Sequence, residues 1–168
     1  MATDVALLIL RLVLGVSLAA HGFNKFFGGG RIPGTARWFE SIGMKYGKFQ
    51  AVTAATAEIA AGLGFAAGLL TPITAAGFVA LMAVAVWTVH RTKGFFIINE
   101  GWEYNLVLAT CAVAVAMIGP GRFSLDHQIF CHCWANGWTG LWISLGLGLA
   151  GAIGQLLLFY RSPAKTGE

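Results

Sequence analysis

Five apolar stretches dominate this sequence, and each is close to the ~20 residues that a helix needs to cross the hydrocarbon core of a bilayer. They cover roughly residues 4–22, 50–70, 72–90, 102–119 and 138–160. Hydrophobic residues make up 57% of the chain and charged residues only 11%, which excludes an ordinary soluble domain. Because lipid offers backbone groups no hydrogen-bond partners, the sequence predicts an all-α, multi-pass membrane protein with five transmembrane helices.

The loop charges predict the orientation of these helices. Nine cations fall in the loops 24–49 and 91–101 and in the C-terminal tail, which share one side if there are five crossings. Only Arg122 falls in the loops of the opposite side. The positive-inside rule therefore places the N-terminus outside the cell membrane and the C-terminus in the cytoplasm. The positive charge then reflects topology and the lipid bilayer, and no nucleic-acid partner is expected.

The first basic loop contains a candidate interfacial helix over roughly residues 35–47. Three glycines, residues 28–30, and then Pro33-Gly34 break regular structure, so Thr35 is expected to cap a short helix after them. This helix would present Trp38, Phe39 and Ile42 on one side. Its basic surroundings predict that it lies at the level of the lipid headgroups.

Ionisable residues on four of the apolar segments are expected to meet near the cytoplasmic face: His21, Lys25, Glu58, His90 and Glu103. Glu58 lies about 12 Å inside its helix from that face, too deep for easy contact with water. Charges inside a membrane are costly unless they pair, which favours a site in the bundle interior. The alternative is structural: lysine can snorkel, and the terminal residues can lie among the headgroups. On the outer side, Asp126 is a candidate ion-pair partner for Arg11.

Several ordered blocks of sequence resemble the DoxX family of membrane proteins. The blocks are RLVLG (11–15), HGFNKFFG (21–28), Glu58 with Gly62, GLLTP (68–72), His90 with KGFF (93–96), EY (103–104) and GPGRFSLD (119–126). The resemblance implies a four-helix membrane bundle over residues 1–126. It also implies a link to redox function, because relatives are associated with thiosulfate:quinone oxidoreduction and with membrane redox complexes.

The polar residues are compatible with two kinds of redox cofactor. A quinone headgroup could accept a hydrogen bond from His or Lys and exchange protons with a carboxylate, with Trp87, Phe95, Phe96 and Trp102 as apolar walls. Alternatively, His21 and His90 could hold a haem b as axial ligands. The nearby charges of Lys25, Glu58 and Glu103 are unusual beside haem, so quinone is favoured.

Residues 127–168 extend beyond the four-helix pattern. They contain Cys131, His132 and Cys133, predicted outside, where a labile redox pair, a metal site completed by His127 or His132, and two plain thiols are all open alternatives. A fifth helix follows, with a ridge of small residues at four-residue spacing: Gly140, Ser144, Gly148 and Ala152. This helix is expected either to dock a partner subunit or to be a lipid-facing anchor.

Two functions remain in contention at this point. The first is the membrane subunit of a quinone-linked oxidoreductase, which binds the quinone headgroup and relays protons while other subunits of a redox complex supply electrons. The second is a non-catalytic anchor or assembly subunit whose polar cluster is structural.

Overall fold

Each of the five apolar stretches contains a long helix in the computed structural model, which describes residues 1–130 and 135–162. These helices are α1 (Ala2–Phe27), α3 (Gly47–Ala67), α4 (Thr71–Ala85), α5 (Glu103–Ile118) and α7 (Gly137–Phe159). A π-helical turn, Val86–His90, extends α4, and a 3₁₀ turn, Ile97–Asn99, lies in the next loop. Two short helices, α2 (Arg31–Ser41) and α6 (Leu125–Ile129), complete the chain. The described residues form no β-strand, so the all-α prediction is confirmed.

Three of these helices are long and apolar enough to cross a membrane: Ala2–Phe27, Thr71–His90 and Gly137–Phe159. The fourth apolar helix, α5, is shorter, with 16 residues. Helix α3 has 21 residues, but Gln50 and Glu58 make it less apolar than the other long helices. The helices support a membrane protein, while five crossings and the orientation stay predictions.

Helices α1 and α3 pack against each other through small residues. A Cβ atom added to Gly62 would lie 2.5 Å from the carbonyl oxygen of Gly15, and one added to Gly22 would lie 2.5 Å from that of Ala55. Neither position has room for a side chain. The backbones therefore approach closely, as in other membrane helix pairs with small residues at the crossing.

The small-residue ridge of α7 is buried within the chain. A Cβ atom on Gly148 would lie 2.5 Å from that of Val79 on α4, and Gly140 abuts the carbonyl of Ala116 on α5. Ser144 and Ala152 are buried on the same face. The ridge therefore joins α7 to its own bundle and is not available for docking a partner subunit.

One end of the bundle is defined by contacts between the C-terminal end of α7 and the turn between α2 and α3. The C-terminal end of α7 meets the α2–α3 turn, where the Lys45 amide donates to Phe159 O (2.8 Å) and the Arg161 amide donates to Gly43 O (2.8 Å). Nearby, Gln155 Nε2 donates to Gln50 Oε1 at 2.9 Å. The end that carries the loops 28–46 and 91–102 is called the basic end below. The C-termini of α1, α4 and α7 and the N-termini of α3 and α5 all lie there.

The predicted interfacial helix is displaced toward the N-terminus. It begins at Arg31 instead of Thr35, and Thr35 Oγ1 donates to Arg31 O (3.0 Å) instead of capping the helix. Pro33 is tolerated because the first turn of a helix has unpaired amides. The expected one-sided face is also divided, since Phe39 packs into the bundle while Trp38 is exposed.

Candidate functional site

A buried ion pair joins α1 to α3 near the basic end. Lys25 Nζ donates to both carboxylate oxygens of Glu58, at 2.7 Å to Oε1 and 2.6 Å to Oε2. The two side chains are only 19% and 12% exposed. Gly22 makes room for the pair, because a Cβ atom there would lie 3.1 Å from Glu58 Cβ. The two-pronged contact offsets the cost of removing both charges from water.

His21 lies one helical turn before Lys25 but does not join this pair. Its side chain is exposed, and no hydrogen bond links it to another described residue. Helix α1 packs closely on α3, and α4 packs on α3, α5 and α7. His21 and His90 thus lie on two helices that both border α3, and haem ligation by them stays a prediction.

His90 and Glu103 both hold the loop between α4 and α5. His90 Nδ1 lies 2.5 Å from Glu100 O, and Glu103 Oε2 accepts from the Ile97 amide at 3.0 Å. Within the described part of the chain, neither side chain hydrogen-bonds to Lys25 or Glu58. The structure therefore brings two of the five predicted residues into contact and places the other three at the same end of the bundle.

A second ion pair closes the same loop at its surface. Lys93 and Glu100 are hydrogen-bonded, and both side chains are exposed. The hydrogen bond from Lys93, with its positive charge, lowers the pKa of Glu100 below its usual range. The loop is thus fastened by polar contacts at both His90 and Lys93.

The four predicted aromatic walls separate into two groups. Trp87 and Trp102 line an open groove of about 540 Å³ between α4, α5 and α7, whereas Phe95 and Phe96 do not line it. Phe95 instead contacts the Trp102 ring edge to face, with ring centroids 4.8 Å apart at an interplanar angle of 83°. The Arg91 guanidinium lies 4.4 Å from the Trp87 ring centroid. The groove is an additional candidate site: none of the five predicted polar residues is among its described lining residues, but Trp87 and Trp102 lie within three residues of His90 and Glu103 in the sequence.

Asn105 is a candidate site residue that was not among those predicted from the sequence. Asn105 lines the groove and is only 7% exposed. Its Nδ2 atom donates to Met82 Sδ at 3.5 Å, and sulfur is a weak acceptor. The sequence feature that could have indicated Asn105 is its amide side chain within a largely apolar helix, where polar side chains are costly.

The predicted outer-side pair of Arg11 and Asp126 is not a direct ion pair among the described residues. Asp126 instead accepts from the Leu70 amide (2.6 Å), the Thr71 amide (2.8 Å) and the Thr71 hydroxyl (2.7 Å), at the N-terminus of α4. Arg11 is fully buried and donates from Nη2 to Phe123 O at 2.5 Å. Its Nε and Nη1 atoms have no hydrogen-bond partner among the described residues, and Asp126 acts on it as a nearby opposite charge.

Cys131, His132 and Cys133 lie outside the described residues, so their predicted redox or metal role stays a prediction. In the ranges 1–130 and 135–162, no group of three or more His, Cys, Asp and Glu side chains is arranged to hold a metal ion. His127, the fourth candidate, lines a small cavity of about 180 Å³ at the end opposite the basic end.

The apolar helices and the buried ion pair define a helical membrane protein. The DoxX family model matches residues 6–91, which include most of α1 and all of α2, α3 and α4. A Bacillus subtilis (strain 168) protein named "Putative oxidoreductase CatD" is 31% identical over 127 residues, which are 76% of this chain and 89% of that protein. No solved structure gives a significant match. The chain belongs to the DoxX family, as the sequence blocks predicted.

Proposed function

We propose that this chain is the membrane component of a redox system that binds a quinone headgroup at its basic end. The observation that carries the proposal is the buried Lys25–Glu58 pair, with His90 and Glu103 at the same end. A charge pair inside an apolar bundle is costly and often marks a site of ion or proton chemistry. Family membership and the printed name of the Bacillus relative support a redox role.

Proton exchange is the chemistry that these residues can supply. Reduction of a quinone to a quinol takes up two electrons and two protons. The electrons would come from a reduced redox protein that associates with this chain, and the protons from the ionisable side chains at the basic end. The Lys25 ammonium, held in place by hydrogen bonds to both oxygens of Glu58, would donate a proton to an oxygen of the reduced quinone and be reprotonated from water at the basic end, once for each of the two protons.

A non-catalytic anchor is the second candidate function, and one observation favours it. Lys25 engages both oxygens of Glu58, which leaves the charges of the pair mutually compensated, as in a structural ion pair. In this alternative the pair holds α1 on α3, and the chain recruits a soluble partner to the membrane.

The first test is whether quinone or haem co-purifies with the protein. The full chain is purified in mild detergent, its visible spectrum is recorded before and after dithionite, and the sample is extracted with solvent for quinone. Co-purified quinone and a clear spectrum support the proposal. A reduced-haem band would instead make His21 and His90 candidate axial ligands, and a clear spectrum without quinone would favour the anchor.

Glu58→Gln separates the two roles of the ion pair. The proposal expects a folded protein, by thermal unfolding and size-exclusion chromatography, that has lost quinone reduction in its complex. Glu40→Gln is the matched control, because Glu40 is an exposed carboxylate near the same end and glutamine keeps the Oε1 atom that accepts from the Gly47 amide at 3.2 Å. A Glu58→Gln protein that fails to fold, beside a normal control, would favour the structural role.

A further inference from the structure

The groove between α4, α5 and α7 has the dimensions of a small-molecule site. Its volume of about 540 Å³ lies within the range of ligand pockets. It extends along α5 from Trp102 to Val113, a distance of about 16 Å. We infer that this groove binds the ring and the first part of the hydrocarbon tail of a quinone, an inference that rests on the proposed function.

Asn105 is the buried polar residue among the described residues that line the groove. The described partner of the Asn105 amide is the sulfur of Met82, at 3.5 Å. A buried amide gains from a stronger acceptor, because thioether sulfur accepts hydrogen bonds only weakly. A ring carbonyl of a quinone is such an acceptor, and it would replace the sulfur as the partner of Nδ2.

Two indole rings line the groove near the basic end. Trp87 lies in the π-helical turn that extends α4, and Trp102 immediately precedes α5. Each ring is supported from outside the groove, Trp87 by Arg91 and Trp102 by Phe95. Supported aromatic rings are suitable surfaces for stacking a flat ring. A π-helical turn within an α-helix is also frequent at functional sites.

The remainder of the groove is suited to a hydrocarbon tail. Its walls are aliphatic farther from the basic end, where Val79, Val113 and Leu145 contribute. Leu106 and Leu149 are 47% and 46% exposed, so the groove is open between the apolar helices α5 and α7. A tail can therefore enter from the lipid side.

The charge of the lining selects between a quinone and a phospholipid. No described lining residue is charged, so a lipid phosphate within the groove would have no counter-ion there. A neutral headgroup with carbonyl oxygens fits this lining better.

Helices α5 and α7 also lie outside the residues that match the family model, so the groove depends on parts of this chain beyond that match.

Binding of decyl-ubiquinone by the detergent-solubilised full chain tests the inference. Titration is followed by quenching of tryptophan fluorescence and by equilibrium dialysis. Ala109→Phe, which fills the groove, is expected to weaken binding at least tenfold. Asn105→Leu is expected to weaken it about fivefold, the value of one hydrogen bond. The matched control Ala150→Phe, on an exposed position of α7, should bind like the wild type.

The outcomes separate the groove from the proposed function. If the wild type binds and both groove variants bind equally well, the groove inference is overturned; loss of binding in Glu58→Gln would then keep the proposed function. If the wild type binds no quinone, both are overturned. Asn105→Leu keeps the test decisive if Ala109→Phe does not fold. Quenching by brominated phospholipid that decyl-ubiquinone does not reverse would assign the groove to a lipid chain and overturn the inference.

Discussion

Replacing Asp126 is expected to destabilise the protein more than replacing Arg11, although Arg11 is the more deeply buried of the two. Arg11 has no exposed surface, and Asp126 is 5% exposed. Their hydrogen bonding is very different. Within the described part of the chain, Asp126 receives three hydrogen bonds from Leu70 and Thr71, whereas Arg11 donates one, to Phe123, and leaves Nε and Nη1 unpaired.

The magnitudes follow from these contacts. Asp126→Ala leaves three donors without their acceptor at the start of α4 and leaves Arg11 without a nearby negative charge. Removing one member of a buried charged network costs about 3 to 5 kcal/mol. Arg11→Met removes one hydrogen bond but also a desolvated charge, while Asp126 keeps its donors, so we expect about 1 to 2 kcal/mol. At the midpoints of these ranges the two costs differ by about 2.5 kcal/mol, a factor of about 60 in the unfolding equilibrium.

Equilibrium unfolding in mixed micelles of mild detergent and SDS measures both variants, with helical circular dichroism as the signal. Asp4→Asn is the control for charge loss at this end of the bundle: Asp4 accepts from the Arg122 amide and pairs with the N-terminal amine, and because asparagine keeps an acceptor for the amide, the change should cost less stability than either variant. An Arg11→Met cost that equals or exceeds that of Asp126→Ala would refute the reasoning.

Three further predictions concern packing, a polar pair and pH. Gly15→Ala should destabilise the protein by about 1 to 3 kcal/mol, since its Cβ would overlap α3. Gly146 has open space around it, so Gly146→Ala should be neutral or stabilise the protein by up to about 1 kcal/mol, and the same unfolding assay compares the two variants. Gln155→Leu should cost about 1 to 3 kcal/mol because it leaves buried Gln50 unpaired, and adding Gln50→Leu should recover most of that loss in a double-mutant cycle. The folded-state pKa of Glu100 is lowered, so its pairing with Lys93 stabilises the 91–101 loop at pH values above the usual glutamate pKa and is lost as the pH falls through the lowered pKa. Hydrogen exchange of the loop, corrected for intrinsic rates, should therefore increase on acidification in the wild type and change less in Glu100→Gln.

The positions of the helices were largely predictable from the sequence, because helix formation in an apolar chain is a local requirement. Each stretch of about 20 apolar residues must satisfy its own backbone, so it forms a helix whatever its neighbours are. Helix ends were less predictable. The first helix continues to Phe27, which places Lys25 in its last turn, and α2 begins at Arg31 because an early proline is compatible with a first helical turn.

The pairing of side chains was decided by tertiary structure. The sequence indicated that Glu58 needs a partner, since an unpaired charge in a bundle is costly. Several cations were candidates, and Lys25 was selected by the close crossing of α1 and α3 at Gly15, Gly22 and Gly62. Asp126 likewise serves the start of α4 more than Arg11, because the turn after Gly68 brings free amides to it.

The groove was also beyond prediction from the sequence. Trp87, Trp102 and Asn105 were visible as separate residues, but the space between them exists only because α7 packs on α4 and α5 along its buried ridge. The apolar character of each helix is encoded locally and was therefore readable. The voids and charge pairs depend on how several helix surfaces fit together, which is a property of the folded bundle alone.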